Sequence, residues 1–96
     1  MTVSFHPLAE LELNDAALFY ETAAPGLGLA FILEVEHALD QIVSYPTSSP
    51  TIQAAVRKKT LLRFPYNILY SVDNTTVRVL AIASQRRRPS YWTGRS

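Results

Sequence analysis

Apolar positions recur along this chain first with the period of a helix and then with the period of a strand. Val3 and Phe5 alternate with Thr2 and Ser4, which predicts a short opening strand ending at His6. Pro7 then suits the first position of a helix, where its missing N–H leaves no bond unmade. Stepping 100° per residue from there places Leu8, Ala9, Leu13, Ala16, Ala17, Phe19, Tyr20 and Ala23 on one broad face, with Glu10, Asn14 and Glu21 opposite. The helix is expected to run from Pro7 to Ala24. Leu11 and Leu18 fall outside its apolar face and mark a candidate partner surface. Pro25-Gly26 interrupts the pattern, and a second helix follows over Leu27 to Tyr45, stopped by Pro46. Phe31, Ile32, Val35, Leu39, Ile42 and Val43 form its stripe, and Glu34, His37, Asp40 and Gln41 point away. So short a connection makes a helical hairpin, whose stripe must lie on another apolar surface.

Pro46 to Pro50, rich in Ser and Thr, reads as a loop, after which the period changes to two. Val56 to Leu62 is expected as a strand, Arg63-Phe64-Pro65 as a tight connection, and Tyr66 to Val72 as a second strand. Asp73-Asn74 supplies turn chemistry, and Val77 to Ser84 returns as a third. Val79 to Ala83 is apolar at every position, the mark of a central strand covered on both faces. The order is βααβββ, an α+β fold in which an N-terminal helical hairpin packs on one face of a mainly antiparallel sheet. At 96 residues the chain has room for one domain, spanning 1–96, with a single core.

Composition narrows the function classes. Hydrophobic content of 48% with 18% charged residues is that of a globular protein. The absence of cysteine excludes a disulfide framework and fits a reducing compartment. No apolar run reaches the ~20 residues that span a bilayer, so a cytoplasmic location is expected. The net charge of +1 conceals a sorted distribution. Residues 1–50 hold seven carboxylates and no Lys or Arg, whereas residues 51–96 hold nine cationic side chains against Asp73 alone. Such a dipolar chain offers an anionic partner its basic side.

Metal chemistry is not indicated. His6 and His37 lie on different elements, and no group of Cys, His, Asp or Glu has ligand spacing, so neither a metal nor another cofactor is expected. His6 reads as a strand-end residue, and Gly26-Leu27-Gly28 as a device of the helix connection. No serine or cysteine stands in a nucleophile motif. The basic set remains. Arg57 and Lys59 project from one face of their strand and Lys58 from the other, Arg63 sits in the connection, and Arg86, Arg87 and Arg88 close the last strand before Pro89, Tyr91 and Trp92. Guanidinium forks grip phosphate or carboxylate, and Tyr91 and Trp92 add stacking surfaces.

The segments HPLAELEL, DAALFYE, GLG-x-x-F-x-x-EVEHAL, VRKKTLLRFPYNILY and VLAIASQRRRPSYW together resemble the RelE/ParE superfamily of toxins from type II toxin–antitoxin (plasmid stabilisation) systems, over nearly the whole chain. The resemblance implies the same βααβββ fold and a toxin that arrests growth when free of its cognate antitoxin. It implies one of two targets. One branch cleaves ribosome-bound messenger RNA without a metal, through basic residues on the sheet and an assisting side chain such as tyrosine; the other poisons DNA gyrase. Arg87 and Tyr91 match the nuclease pattern and would be its catalytic pair. Asn67 stands where that pattern has arginine, Thr60 where it has lysine, and Ser84 where many relatives have histidine. Three departures against two matches place gyrase or a related target ahead of the ribosome. A nontoxic binding module is the third reading. Arg57, Lys58, Arg63, Arg86, Arg88 and Trp92 are then the expected nucleic-acid- or target-binding residues, and Leu11 and Leu18 the antitoxin-binding ones.

Overall fold

The computed structural model describes residues Met1–Ser96. Its elements are β1 (Thr2–Phe5), α1 (Pro7–Ala23), α2 (Leu27–Ser44), β2 (Thr51–Gln53), β3 (Val56–Thr60), β4 (Tyr66–Val72) and β5 (Thr76–Ser84). They form one five-stranded sheet in the order β1-β5-β4-β3-β2. Only β1 runs parallel to its neighbour, Val3 facing Val77 and Phe5 facing Val79. The expected α+β architecture is present, with one addition. β2 lies in the stretch between the Pro46–Pro50 loop and β3, for which no strand is expected; its three residues are all exposed, so they carry no alternation to read.

The helical hairpin is set by local chemistry. His6 caps α1, its Nδ1 accepting from the amide of Leu8 at 3.1 Å, with Pro7 following at the first helical position. At the start of α2, Gly26 adopts φ +86° and supplies no side-chain cap. Glu21 does so from α1, accepting from the amides of Gly26 and Gly28 at 3.0 Å. Gly28 lets the helices approach closely, since a Cβ there would sit 2.5 Å from the Ala17 carbonyl oxygen. Glu21 therefore bridges the two helices, where the helical period alone puts it on the solvent face.

The main core lies between the hairpin and the sheet. Phe31, Val35, Ala38 and Ile42 of α2 meet Ile68 and Tyr70 of β4 and Val77, Val79 and Ile82 of β5, all buried. Burying each large apolar side chain contributes about 1.5–3 kcal/mol. α1 adds Ala9 and Ala16, but Leu8 and Phe19, expected on the same buried face, are 47% and 66% exposed. Leu39 is only half-buried at the margin of the core. A second cluster on the opposite face joins Val56, Leu69, Leu80, Ala81 and Ala83 beneath Trp92, whose exposure is 7%. β5 is thus covered on both sides, as its apolar run predicts. A bulge at Leu80 arranges this: Leu69 pairs with Ala81 and Tyr70 with Val79, leaving Leu80 as the extra residue. No helix is long and apolar enough to cross a membrane.

Candidate functional site

β1 ends at Phe5, and the last pairing to β5 is from the His6 amide to the Val79 carbonyl, at 2.8 Å. The second half of β5 therefore has an unpaired edge on that side. Two side chains occupy it. Glu12 of α1 accepts from the Ile82 amide at 3.1 Å, and Arg95 donates to the Leu80 carbonyl at 3.0 Å. Glu12 and Arg95 also join each other at 2.9 Å and 3.1 Å through both carboxylate oxygens. An edge that would otherwise attract another strand is closed by an ion pair.

Tyr91 completes this group. Its hydroxyl donates to Glu12 Oε2 at 2.9 Å, and the Arg87 guanidinium lies over its ring, 3.9 Å from Cζ to the centroid. Burial first, and the bond to Glu12 second, push the phenol up to about 12. Tyr66 nearby is also pushed up, by burial and by the Glu12 carboxylate. At neutral pH both tyrosines are phenols, and the proton of Tyr91 rests against an acceptor.

Two clefts meet at Arg87. The larger, about 330 Å³ on the Trp92 face of the sheet, has Lys58, Arg87 and Arg88 on its walls with Asn67, Gln53 and Gln85, over a floor that includes Leu69 and Ala83. It contains no carboxylate. The smaller, about 320 Å³ on the α1 side, holds Glu12 and Asp15 beside Phe19, Tyr66, Ser84 and Arg87. Arg87 is thus flanked by a cationic cleft on one side and an acidic one on the other.

The structure brings together only some of the expected set. Lys58, Arg87 and Arg88 converge, and Arg86 is exposed on the same turn, its amide donating to the Ser84 hydroxyl. Arg63 is exposed in the β3–β4 connection, its guanidinium 5.7 Å from the Phe64 ring. Arg57 does not join them. It donates to the carbonyls of Thr47 and Ser49 at 3.1 Å and 2.7 Å and holds the loop after α2. Trp92 also lines the larger cleft but is 7% exposed, because the segment after β5 folds back and uses it to cover Leu80 and Ala83. Leu11 and Leu18 are exposed on α1, at 53% and 67%. No group of His, Cys, Asp and Glu is arranged to hold a metal. Glu12 and Arg95 were not among the expected site residues. The only sequence signal for them is opposite charge, which any acidic helix and basic tail would share.

The family profile described as ParE toxin of type II toxin-antitoxin system, parDE, matches residues 3–89. The chain belongs to the ParE toxin family. As a member it is the toxin component of a type II toxin–antitoxin system. Among solved structures, the fold is similar to a chain of the chromosomal ParDE TA system from P. aeruginosa, with a TM-score of 0.76 at 18% identity over 88% of this chain and 95% of that one. No curated protein matches it in sequence. The superfamily resemblance read from the motifs thus narrows to its ParE branch.

Proposed function

We propose that this ParE family member arrests growth by binding a protein target, DNA gyrase foremost, and does not cleave RNA. The observation that carries this reading is the state of Tyr91. Its hydroxyl already donates to Glu12 at 2.9 Å, and burial with that bond raises the phenol to about 12, so the anion that would take a proton from a 2′-hydroxyl is scarcer still than in a free tyrosine. Glu12 and Asp15 line the adjoining cleft with Arg87 and Tyr91, and their negative charge would repel a phosphate there. Asn67 and Ser84 line the larger cleft where the nuclease pattern puts arginine and histidine. The exposed Arg63, Arg86, Arg87 and Arg88 suit an acidic protein surface equally well.

A cognate antitoxin is the second partner. Its binding to the α1 face at Leu11 and Leu18, together with masking of part of the basic end by acidic residues, fits the exposure of those leucines. Affinity of the complex is then expected to fall as salt rises.

The test is induction of the chain without antitoxin, following plasmid supercoiling and total RNA in parallel. Loss of supercoiling control before any RNA decay supports the gyrase reading. Messenger RNA cut within minutes, with supercoiling intact, would establish the ribosome-dependent nuclease instead, for which the cationic walls of the larger cleft are the supporting feature. Growth without change in either would leave a nontoxic binding module.

A further inference from the structure

The connection between β3 and β4 carries the most exposed large apolar side chain of the molecule, Leu62, at 95%. The segment around it is fixed. Leu61 on one side and Phe64 on the other are buried in the main core, at 5% and 6% exposure. Glu34 of α2 reaches across to accept from the Leu62 amide at 2.6 Å and from the Arg63 amide at 3.0 Å, both through Oε2. A segment anchored on both sides and clamped through its amides loses little freedom when something binds it. That condition makes an exposed apolar side chain an effective anchor.

The surroundings give the anchor a charge. Arg63 follows directly, and the amide of Gln85 donates to the Pro65 carbonyl at 2.9 Å, which sets the turn bearing Arg86 beside this connection. Neither arginine is in an ion pair; the one ion pair of the structure is Arg95 with Glu12. The anchor is followed by an unpaired arginine, Arg63, and lies in a connection held to the turn that bears Arg86, while the Glu34 carboxylate is engaged by the anchor's own amides.

We infer that Leu62 is a docking anchor for a segment of the toxin's protein target that brings an apolar contact rimmed by carboxylates. This rests on the reading that the target is a protein, and it adds the surface used. A leucine gives a phosphate backbone no hydrogen bond and no charge, whereas a protein pocket gains from its burial. The arginines select an acidic rim around that pocket.

Leu62→Ala and Leu62→Asp, induced without antitoxin beside the parent at matched soluble level, test the inference. Both are expected to melt with the parent, because the side chain is outside the core. Leu62→Asp should need roughly tenfold more protein for the same growth arrest, and Leu62→Ala should fall between. The purified proteins are then compared for inhibition of DNA gyrase and for binding to a single-stranded RNA oligonucleotide. Arrest by both variants at parental potency overturns the inference whatever the target. Loss of arrest by the variants, when the parent itself leaves gyrase untouched, supports the docking surface and removes only the gyrase reading. If Leu62→Ala loses RNA binding in proportion to its loss of arrest, the surface serves nucleic acid and the inference fails.

Discussion

The hydroxyl of Tyr91 donates to Glu12 across 79 residues of chain, at 2.9 Å. The same carboxylate holds the Ile82 amide and the Arg95 guanidinium. Replacing Glu12 by Ala strands all three donors together, so a loss of about 2–3 kcal/mol in urea denaturation is expected. Glu12→Gln keeps an acceptor of the same reach and should lose less. A loss near zero for Glu12→Ala would mean that water replaces the carboxylate without cost.

Alkaline pH should act through the same contact. The Tyr91 phenol titrates at about 12 in the fold, above the ordinary value near 10 of an unfolded chain. Its contribution to stability is therefore fully present below about pH 10 and is lost as pH rises towards 12. Tyr91→Phe should flatten that part of the stability profile, followed by thermal melts between pH 8 and pH 12. Asp73 works at the other end of the scale. The amides of Thr75 and Thr76 hold its carboxyl below the usual range, so its contribution is present above about pH 4 and is lost as pH falls further.

The two glycines of the helix connection should fail for different reasons. Gly28→Ala forces a methyl group against the Ala17 carbonyl, which is backbone and cannot swing away, and should cost about 1–3 kcal/mol. Gly26→Ala meets no atom within 4 Å but places a side chain at φ +86°, for about 1–2 kcal/mol. Asparagine tolerates that backbone region, so Gly26→Asn should recover most of the loss while Gly28→Asn recovers none. Chemical denaturation of the four variants separates strain from crowding.

Arg87 is expected to be essential for toxicity and dispensable for folding. Its side chain is exposed and its one aromatic contact, with Tyr91, is worth only about 0.5–1 kcal/mol at such a site. Arg87→Ala should melt close to the parent yet lose about 1.5–3 kcal/mol of its contact with an acidic group on the target. Arg87→Lys keeps the charge without the planar fork. Full toxicity of the lysine variant would assign simple attraction, and continued inactivity would assign bidentate recognition. Parental toxicity of Arg87→Ala would remove Arg87 from the site.

The architecture was legible because its determinants are periodic. The α2 stripe from Phe31 to Ile42 and the unbroken apolar run of β5 state which surfaces must be covered. The course of long polar side chains was not legible. Helical phase places a Cβ, but a glutamate carboxylate lies three bonds further on, and in this fold Glu12, Glu21 and Glu34 each turn back to backbone amides. Arg57 is the cationic counterpart, directed by loop carbonyls that no spacing rule anticipates. Trp92 is buried because the tail reverses direction after Ser84, with Ser90 at φ +65° and Gly94 at φ +96°, and neither residue announces that turn as a Pro-Gly pair would. Helical phase puts Leu39 within the α2 stripe, but it is marginal because the buried stripe centres on Val35 and Ala38. Ile42→Ala is therefore expected to cost more stability than Leu39→Ala in urea denaturation.

The parallel pairing of β1 with β5 bears on how the toxin is made. Thr2 to Phe5 are made well before their partners, Thr76 to Val79, which follow more than seventy residues later. Until then the opening strand has no ladder and the hairpin lacks most of the sheet it must lie on. Contacts this distant in sequence form late and slowly. Translation that stalls before β5 therefore releases a chain without its arginine end or its central strand. Such fragments lack the surface that buries the hairpin's apolar stripe and are expected to be open to proteolysis.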